Sequence, residues 1–236
     1  MVGSVVVIVS ADVEWRVLRE ILSVQPTGKT PYGECCELSM DVHGRTIQTI
    51  YVHGGWGKIS AAGSAQYAIE RWSPDLIINI GTCGGILGEI EIGEIVLAER
   101  TLVYDIIEQM FDAEEAIEHY ATDLDLSWLQ EPYPHPVRRT LLLSADRDGL
   151  AEQIDFLRDE YSATALDWES GAIAWIAAKN QKRCLILRGV TDLVDGSGGE
   201  AYDGTGELFS TRTDDIMRAL MESLPSWIEC SAPAAQ

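Results

Sequence analysis

Val5-Val6-Val7-Ile8-Val9 is an unbroken run of β-branched residues, and it narrows the fold more than any other stretch of the chain. A strand that is apolar on both faces belongs inside a sheet covered on both sides. Directly behind it, Val13, Val17, Leu18, Ile21 and Leu22 recur at helical spacing. Leu76 to Ile80 and Cys184 to Val190 are further buried-strand runs among amphipathic segments. Short apolar runs alternating with amphipathic ones are the pattern of βα units. The expectation is an α/β fold, a three-layer α/β/α arrangement with a mixed, mainly parallel central sheet.

At 236 residues and 46% hydrophobic content the chain can bury a large core, and one domain spanning 1–236 is expected. The formal net charge of −21 argues against a nucleic-acid surface and against an anionic membrane. A small neutral or cationic ligand fits better. Five cysteines, at 35, 36, 83, 184 and 230, show no CxxC spacing and suggest reduced thiols in a cytoplasmic protein. The first residues lack a basic start, and no apolar run approaches a membrane span.

In chain order, Glu34 to Val42 and Thr46 to Val52 pair across a His43-Gly44-Arg45 turn, and a helix begins near Lys58 after the glycine turn His53 to Gly57. That turn is not a phosphate loop of the Walker type, because Val52 and Ile59 stand where glycine and a hydroxyl residue are needed. Trp56 at its tip reads more readily as core than as a ligand contact. Gly81-Thr82-Cys83-Gly84-Gly85 reads as a tight turn closing the strand before it, with backbone N–H groups and the Thr82 hydroxyl facing a ligand. Asp105 to Pro136 is acidic, aromatic and irregular, an inserted lobe or lid. Thr140 to Ser144 is a strand leading into loop residues 145–149, Glu207 to Ile228 is a packing helix, and the tail from Cys230 to Gln236 is expected to fray.

The chemistry concentrates between Ala165 and Asp195. Asp167 and Glu169 open a helix, and the following strand ends at Thr191 and Asp192. Glu14 stands just past the first strand's C-terminal end, where open α/β sheets gather ligands. Acids at helix starts also stabilise the helix dipole, and that plain reading stands beside the functional one for Glu14 and Glu169. The four histidines lack metal-ligand spacing, no GxSxG elbow occurs, and no cysteine lies in a nucleophile signature, so neither metal nor cofactor is expected.

Together INIGTCGG, DWESGA, RGVTDLVD and Glu14 after the first strand resemble the nucleoside phosphorylase/nucleosidase superfamily. Within it the likeness is to 5′-methylthioadenosine/S-adenosylhomocysteine nucleosidases, particularly the plant-type branch. It extends from Val5 to about Leu224, strongest at 52–105 and 164–196. The resemblance implies a nucleoside phosphorylase-like fold and cleavage of the N-glycosidic bond of a purine nucleoside. It implies Asp192 as the acid at purine N7, Glu14 as the carboxylate that activates water, and Glu169 as the ribose binder, with Thr82, Gly84 and Arg188 supporting that region. It also implies a homodimer in which residues near 106–120 complete the neighbour's pocket, a role for which Ile106, Ile107, Met110 and Phe111 are suited.

Phosphorylases of the superfamily carry arginine in an early loop of the type GDPxR. The corresponding loop here reads SADVEW, and its carboxylate repels phosphate, which favours water as the nucleophile. Phosphorolysis is the alternative if Arg16, Arg100 or Arg188 gathers an anion, and a non-catalytic nucleoside binder is another. Three positions depart from the resemblance. SADRDG brings Arg147 and Asp148 toward the base, where Asp148 either reads a ring or amino N–H or pairs with Arg147 in solvent. Trp168 replaces the usual Met between the two acids, and Trp56 borders the 5′ substituent, so the two tryptophans are expected to narrow the sugar side and favour a small 5′ group over a bulky homocysteine.

Overall fold

Alternation along the central strands decides the layering. The computed structural model of the protein describes residues 2–202 and 204–231. Its elements run β1 (Ser4–Val9), α1 (Asp12–Leu22), β2 (Gly28–Lys29), β3 (Glu34–Val42), β4 (Arg45–His53), α2 (Gly57–Trp72), β5 (Leu76–Ile86), β6 (Ile95–Val103) and α3 (Ala113–Glu118). They continue with β7 (Thr122–Asp123), β8 (Arg138–Ser144), α4 (Ala151–Tyr161), β9 (Ala165–Asp167), α5 (Ser170–Lys179), β10 (Arg183–Asp195), β11 (Gly198–Gly199) and α6 (Glu207–Cys230). Val5, Val7, Val9, Leu76, Ile78, Ile80, Leu185 and Leu187 share a core with α1 and α6. Val6, Ile8, Ile77, Cys184 and Ile186 pack instead with the small residues Ala61, Ala65 and Ala68 of α2 and with Ile173 and Ala177 of α5. A period of two thus supplies both faces of the sheet, as the unbroken apolar runs require.

The sheet is mixed. Its central ladders, β1 with β4 and β5, β5 with β10, and β6 with β8, are parallel, while β3 returns antiparallel on β4. The β3–β4 turn places His43 and Gly44 at φ 51° and 79°, the left-handed pair a two-residue hairpin needs. Beyond β1 the sheet curls into a ring: β5 pairs with β9 and β10, β9 with β8, β8 with β6, and β6 with β10. A third core fills its end, where Ile86, Leu102, Leu143, Leu166 and Val194 meet Ile154 and Leu157 of α4.

Two strands run past the ends expected of them. β5 continues through Gly81–Gly85 to Ile86, so this stretch is extended backbone and not a tight turn. β10 continues through Asp192 to Asp195, with a register shift between Val190 and Asp192. The glycines answer close packing: a Cβ on Gly81 would come within 2.2 Å of Arg188 Nη1, and one on Gly85 within 2.5 Å of Ile90. Asp167 likewise ends β9 and does not open a helix; α5 starts at Ser170 with Glu169 as its N-cap residue. The segment 105–136 holds α3 and the short β7, paired on β6. Cys230 is the last residue of α6 and Ser231 is buried, so they do not fray; the rest of the expected tail, 232–236, lies outside the described residues. No described helix is long and apolar enough to cross a membrane.

Candidate active site

The site is built on a buried arginine. Arg188, in the middle of β10, is 1% exposed and extends under the ends of the neighbouring strands. Its Nε lies 3.0 Å from Asp167 Oδ2 and donates to Ser170 Oγ at 3.0 Å. Nη2 donates to Asn79 Oδ1 at 2.9 Å and stands 3.7 Å from Glu169 Oε2, and Nη1 stands 3.9 Å from Glu14 Oε1. Three carboxylates, one from α1 and two from the stretch 167–169, therefore share one guanidinium. A buried charge needs such partners, and here the acids outnumber the cation.

Each carboxylate is fixed differently. Glu14 Oε1 accepts from the Thr82 N–H at 2.6 Å and the Thr82 hydroxyl at 2.8 Å, while Oε2 accepts from the Ala11 N–H at the start of α1 at 3.2 Å. The helix-start reading of Glu14 is thus correct for one oxygen, and the second oxygen reaches across to β5. Asp167 accepts from the Ser144 hydroxyl at 2.6 Å and from the Ser170 backbone and hydroxyl. Glu169 Oε1 accepts from the Gly57 N–H at 3.1 Å, which ties the turn before α2 to the start of α5. Burial pushes the Glu169 carboxyl up to about 8; Arg188 opposes the shift, and Asp167 and Glu14 add to it. Burial thus favours the protonated form of the Glu169 carboxyl.

Asp192 belongs to a separate environment. It is 6% exposed, and Oδ1 accepts from the Thr191 hydroxyl at 2.7 Å. Burial raises its carboxyl above the usual range, the Thr191 hydrogen bond opposes the shift, and Glu200 reinforces it. Burial also pushes the Cys83 thiol upward, which removes its value as a nucleophile.

A cavity of about 440 Å³ opens over these groups, within the size range of small-molecule sites. Glu14, Glu169 and Asp192 line it, as do Thr82, Gly84, Asp148, Trp56 and Trp168. Arg147, Asp148 and Gly149 of the 145–149 loop and the carboxylates thus line one cavity. Arg188 is not a lining residue; it lies beneath, holding the acids. Thr82 directs its hydroxyl at Glu14. Trp56 is not core: it is 70% exposed and stacks on Trp168 with ring centroids 5.1 Å apart and planes 19° apart. Arg147 does not pair with Asp148. Its Nη2 donates to Gln153 at 2.7 Å and its guanidinium lies 5.2 Å from the Tyr104 ring centroid.

Two contributors lie outside the sequence-predicted set. Asp167 carries the closest ion pair to Arg188, and Tyr202, which lines the cavity, accepts from the Gly149 N–H at 3.1 Å. For Asp167 the signal was present, an acid two residues before Glu169 in a stretch already rich in acids. Tyr202 has no such local signal, since its place comes from the return of the chain after β10.

The family model of the Phosphorylase superfamily matches residues 5–222. The chain belongs to this superfamily. Among relatives of this phosphorylase-superfamily protein, the 5′-methylthioadenosine/S-adenosylhomocysteine nucleosidase of Anoxybacillus flavithermus is 21% identical over 233 residues, covering 94% of this chain and 99% of the relative. A Helicobacter pylori nucleosidase of the same name, a mutant with 5′-methylthioadenosine in its active site, superposes with a TM-score of 0.74 at 16% identity, covering 97% and 99% of the two chains. The Neisseria meningitidis nucleosidase in complex with methylthio-immucillin-A gives 0.71 at 19% identity, covering 96% and 99%. At these identities the structural likeness speaks for the shared fold.

Proposed function

We propose that this protein is an N-glycosyl hydrolase that cleaves a purine nucleoside of the 5′-methylthioadenosine type and releases the base. The observation that carries the reading is the division of three buried carboxylates on one cavity: Asp192 raised by burial away from Arg188, and Glu14 and Glu169 fixed around Arg188 by separate donors. Asp192 donates its proton to purine N7 as the C1′–N9 bond breaks and its electron pair leaves with the base. Water adds to C1′ and passes its proton to Glu14. Glu169 hydrogen-bonds the ribose hydroxyls and holds the sugar in line with Asp192 and Glu14.

Charge supports water over phosphate. The cavity is lined by six acidic residues and, among the described residues, by Arg147 alone as a cation. Arg188 is already shared among carboxylates, Arg100 pairs with Glu118 and Asp123, and Arg16 is exposed away from the cavity lining. A phosphate anion entering here meets like charge.

The partner is a small nucleoside, and we infer a homodimer, because Ile107, Met110 and Phe111 stand 79%, 83% and 81% exposed on one segment. Five free cysteines, four of them buried, suit a reducing, cytoplasmic setting.

The deciding experiment measures base release from 5′-methylthioadenosine with and without phosphate. The expected result is phosphate-independent release of free base and free sugar, lowered roughly 10²–10⁴-fold in Asp192→Asn. A requirement for phosphate with ribose 1-phosphate-type product overturns hydrolysis, and binding without turnover overturns catalysis.

A further inference from the structure

We propose that Arg212 is a positioning residue for base departure, fixing the Asp192 carboxyl from outside the cavity through the two residues that flank it. This rests on the glycosidase reading above and goes beyond it by assigning a residue that is absent from the cavity lining.

Asp192 stands where the sheet is irregular. β10 pairs with β5 in step as far as Val190 opposite Cys83 and resumes with Asp192 opposite Gly84, so Thr191 is an extra residue in the ladder. A bulge of this kind re-aims the side chain beside it and leaves backbone groups in need of another partner. Arg212 of α6 is that partner. Its Nη1 donates to the Thr191 carbonyl at 2.6 Å and to Glu200 Oε1 at 2.6 Å. Glu200 Oε1 also accepts from the Leu193 N–H at 3.1 Å, and the Glu200 N–H donates to the Leu193 carbonyl at 3.1 Å. One ion pair therefore holds both the residue before Asp192 and the residue after it.

The pair serves position more than stability. The Arg212 and Glu200 side chains are 26% and 38% exposed, and ion pairs with that much water around them add little to folding. α6 is anchored without them: Ile216, Leu220 and Leu224 lie in the core, and Ile216 fills the space that a Cβ on Gly189 would take. The helix is thus a fixed post from which Arg212 reaches the bulge.

Charge gives the pair a signature in solution. The ionisable groups facing Asp192 are Asp148 of the 145–149 loop, Glu200 and Tyr202 after β10, Cys83 of β5 and Arg212 of α6. Glu200 favours the protonated Asp192 carboxyl and Arg212 the ionised one, so the paired groups oppose each other. Loss of Arg212 unbalances them and also frees the Thr191 carbonyl. Glu200→Gln unbalances them in the other direction, while it keeps an acceptor for the Leu193 N–H and leaves Arg212 on Thr191.

The test measures the pH dependence of kcat/KM for 5′-methylthioadenosine in the wild type, Arg212→Met, Arg212→Lys and Glu200→Gln. Arg218→Met is the control, since its guanidinium pairs with Asp214 elsewhere on α6. Base departure needs Asp192 protonated, so its titration sets the alkaline limb. Arg212→Met is expected to lower the plateau roughly ten- to a hundredfold, the scale of a small misplacement of a reacting group, and to move the alkaline limb to higher pH. Glu200→Gln should keep the plateau within about threefold, as an exposed pair allows, and move the limb to lower pH. Arg212→Lys, which keeps the charge and a donor, should return the limb to its wild-type place and recover part of the plateau, and Arg218→Met should match the wild type. An Arg212→Met plateau within about threefold of the wild type, the range of an exposed pair, overturns the proposal. A lowered plateau with an unmoved limb overturns it too, because Arg212 would then be structural only. Base release by the wild type beside either failure leaves hydrolysis standing; no release from any nucleoside overturns hydrolysis and this proposal together.

Discussion

Arg188 Nε and Asp167 Oδ2 lie 3.0 Å apart with side chains 1% and 2% exposed, and this pair joins the middle of β10 to the end of β9 beneath the cavity. Two further carboxylates depend on the same guanidinium. Removing the cation leaves three buried acids facing one another, whereas removing Asp167 leaves Arg188 with Glu14 and Glu169. Arg188→Met is therefore expected to cost roughly 3–5 kcal/mol, the scale for breaking a buried pair. Asp167→Asn, which keeps the shape and the acceptor oxygen, should cost less. Urea denaturation of both variants checks the order, and equal losses would contradict it.

The layering was legible because period-two runs such as Val5 to Val9 admit few placements, and the acids were legible because carboxylates at strand ends have few structural reasons to be there. What stayed hidden depended on contacts between distant segments. Gly81 and Gly85 look like turn residues until Arg188 and Ile90 are seen to fill the space a Cβ would take. Trp56 reads as core because large aromatics usually are; its exposure follows from its position on the turn that Glu169 holds through Gly57. α4 offers only Ile154 and Leu157 as buried residues, too few to announce a helix by periodicity.

Glu169 gives the protein a pH signature. Its carboxyl is raised from 4.5 to about 8 in the folded state, so folding favours the protonated form. The stabilisation is complete below the unfolded value and is lost as pH rises through about 8. Melting temperature is expected to fall between about pH 4.5 and pH 8, and Glu169→Gln, which keeps an acceptor for the Gly57 N–H without the charge, should flatten that part of the curve. Differential scanning calorimetry across this range would expose an error if the wild-type and variant slopes matched.

Gly81 tests whether the close approach under the site matters. A methyl group there meets Arg188 Nη1 at 2.2 Å and Glu14 Oε1 at 2.7 Å, neither of which can retreat without breaking its other bonds. Gly81→Ala is expected to cost about 1–3 kcal/mol by overpacking and to lower kcat by displacing Glu14. Gly196→Ala serves as the control, because nothing lies within 4 Å of a Cβ at that position. It should change stability by no more than about 0.5 kcal/mol. Thermal melts and base-release rates for the pair distinguish a local clash from a general intolerance of alanine.

The exposed apolar segment calls for cover. Ile107, Met110 and Phe111 follow Asp105, which the Lys58 ammonium holds beside the turn carrying Trp56, so a second copy seated on them would approach the cavity. Light scattering behind gel filtration is expected to give twice the chain mass for the wild type. Phe111→Asp and Met110→Glu place charge on side chains 81% and 83% exposed in the single chain, where they should leave the fold intact and shift the protein toward monomer. If the neighbour completes the pocket, KM for the nucleoside rises with the monomer fraction and recovers at high protein concentration. A wild type of single-chain mass, or variants that dimerise as before, would place the contact elsewhere.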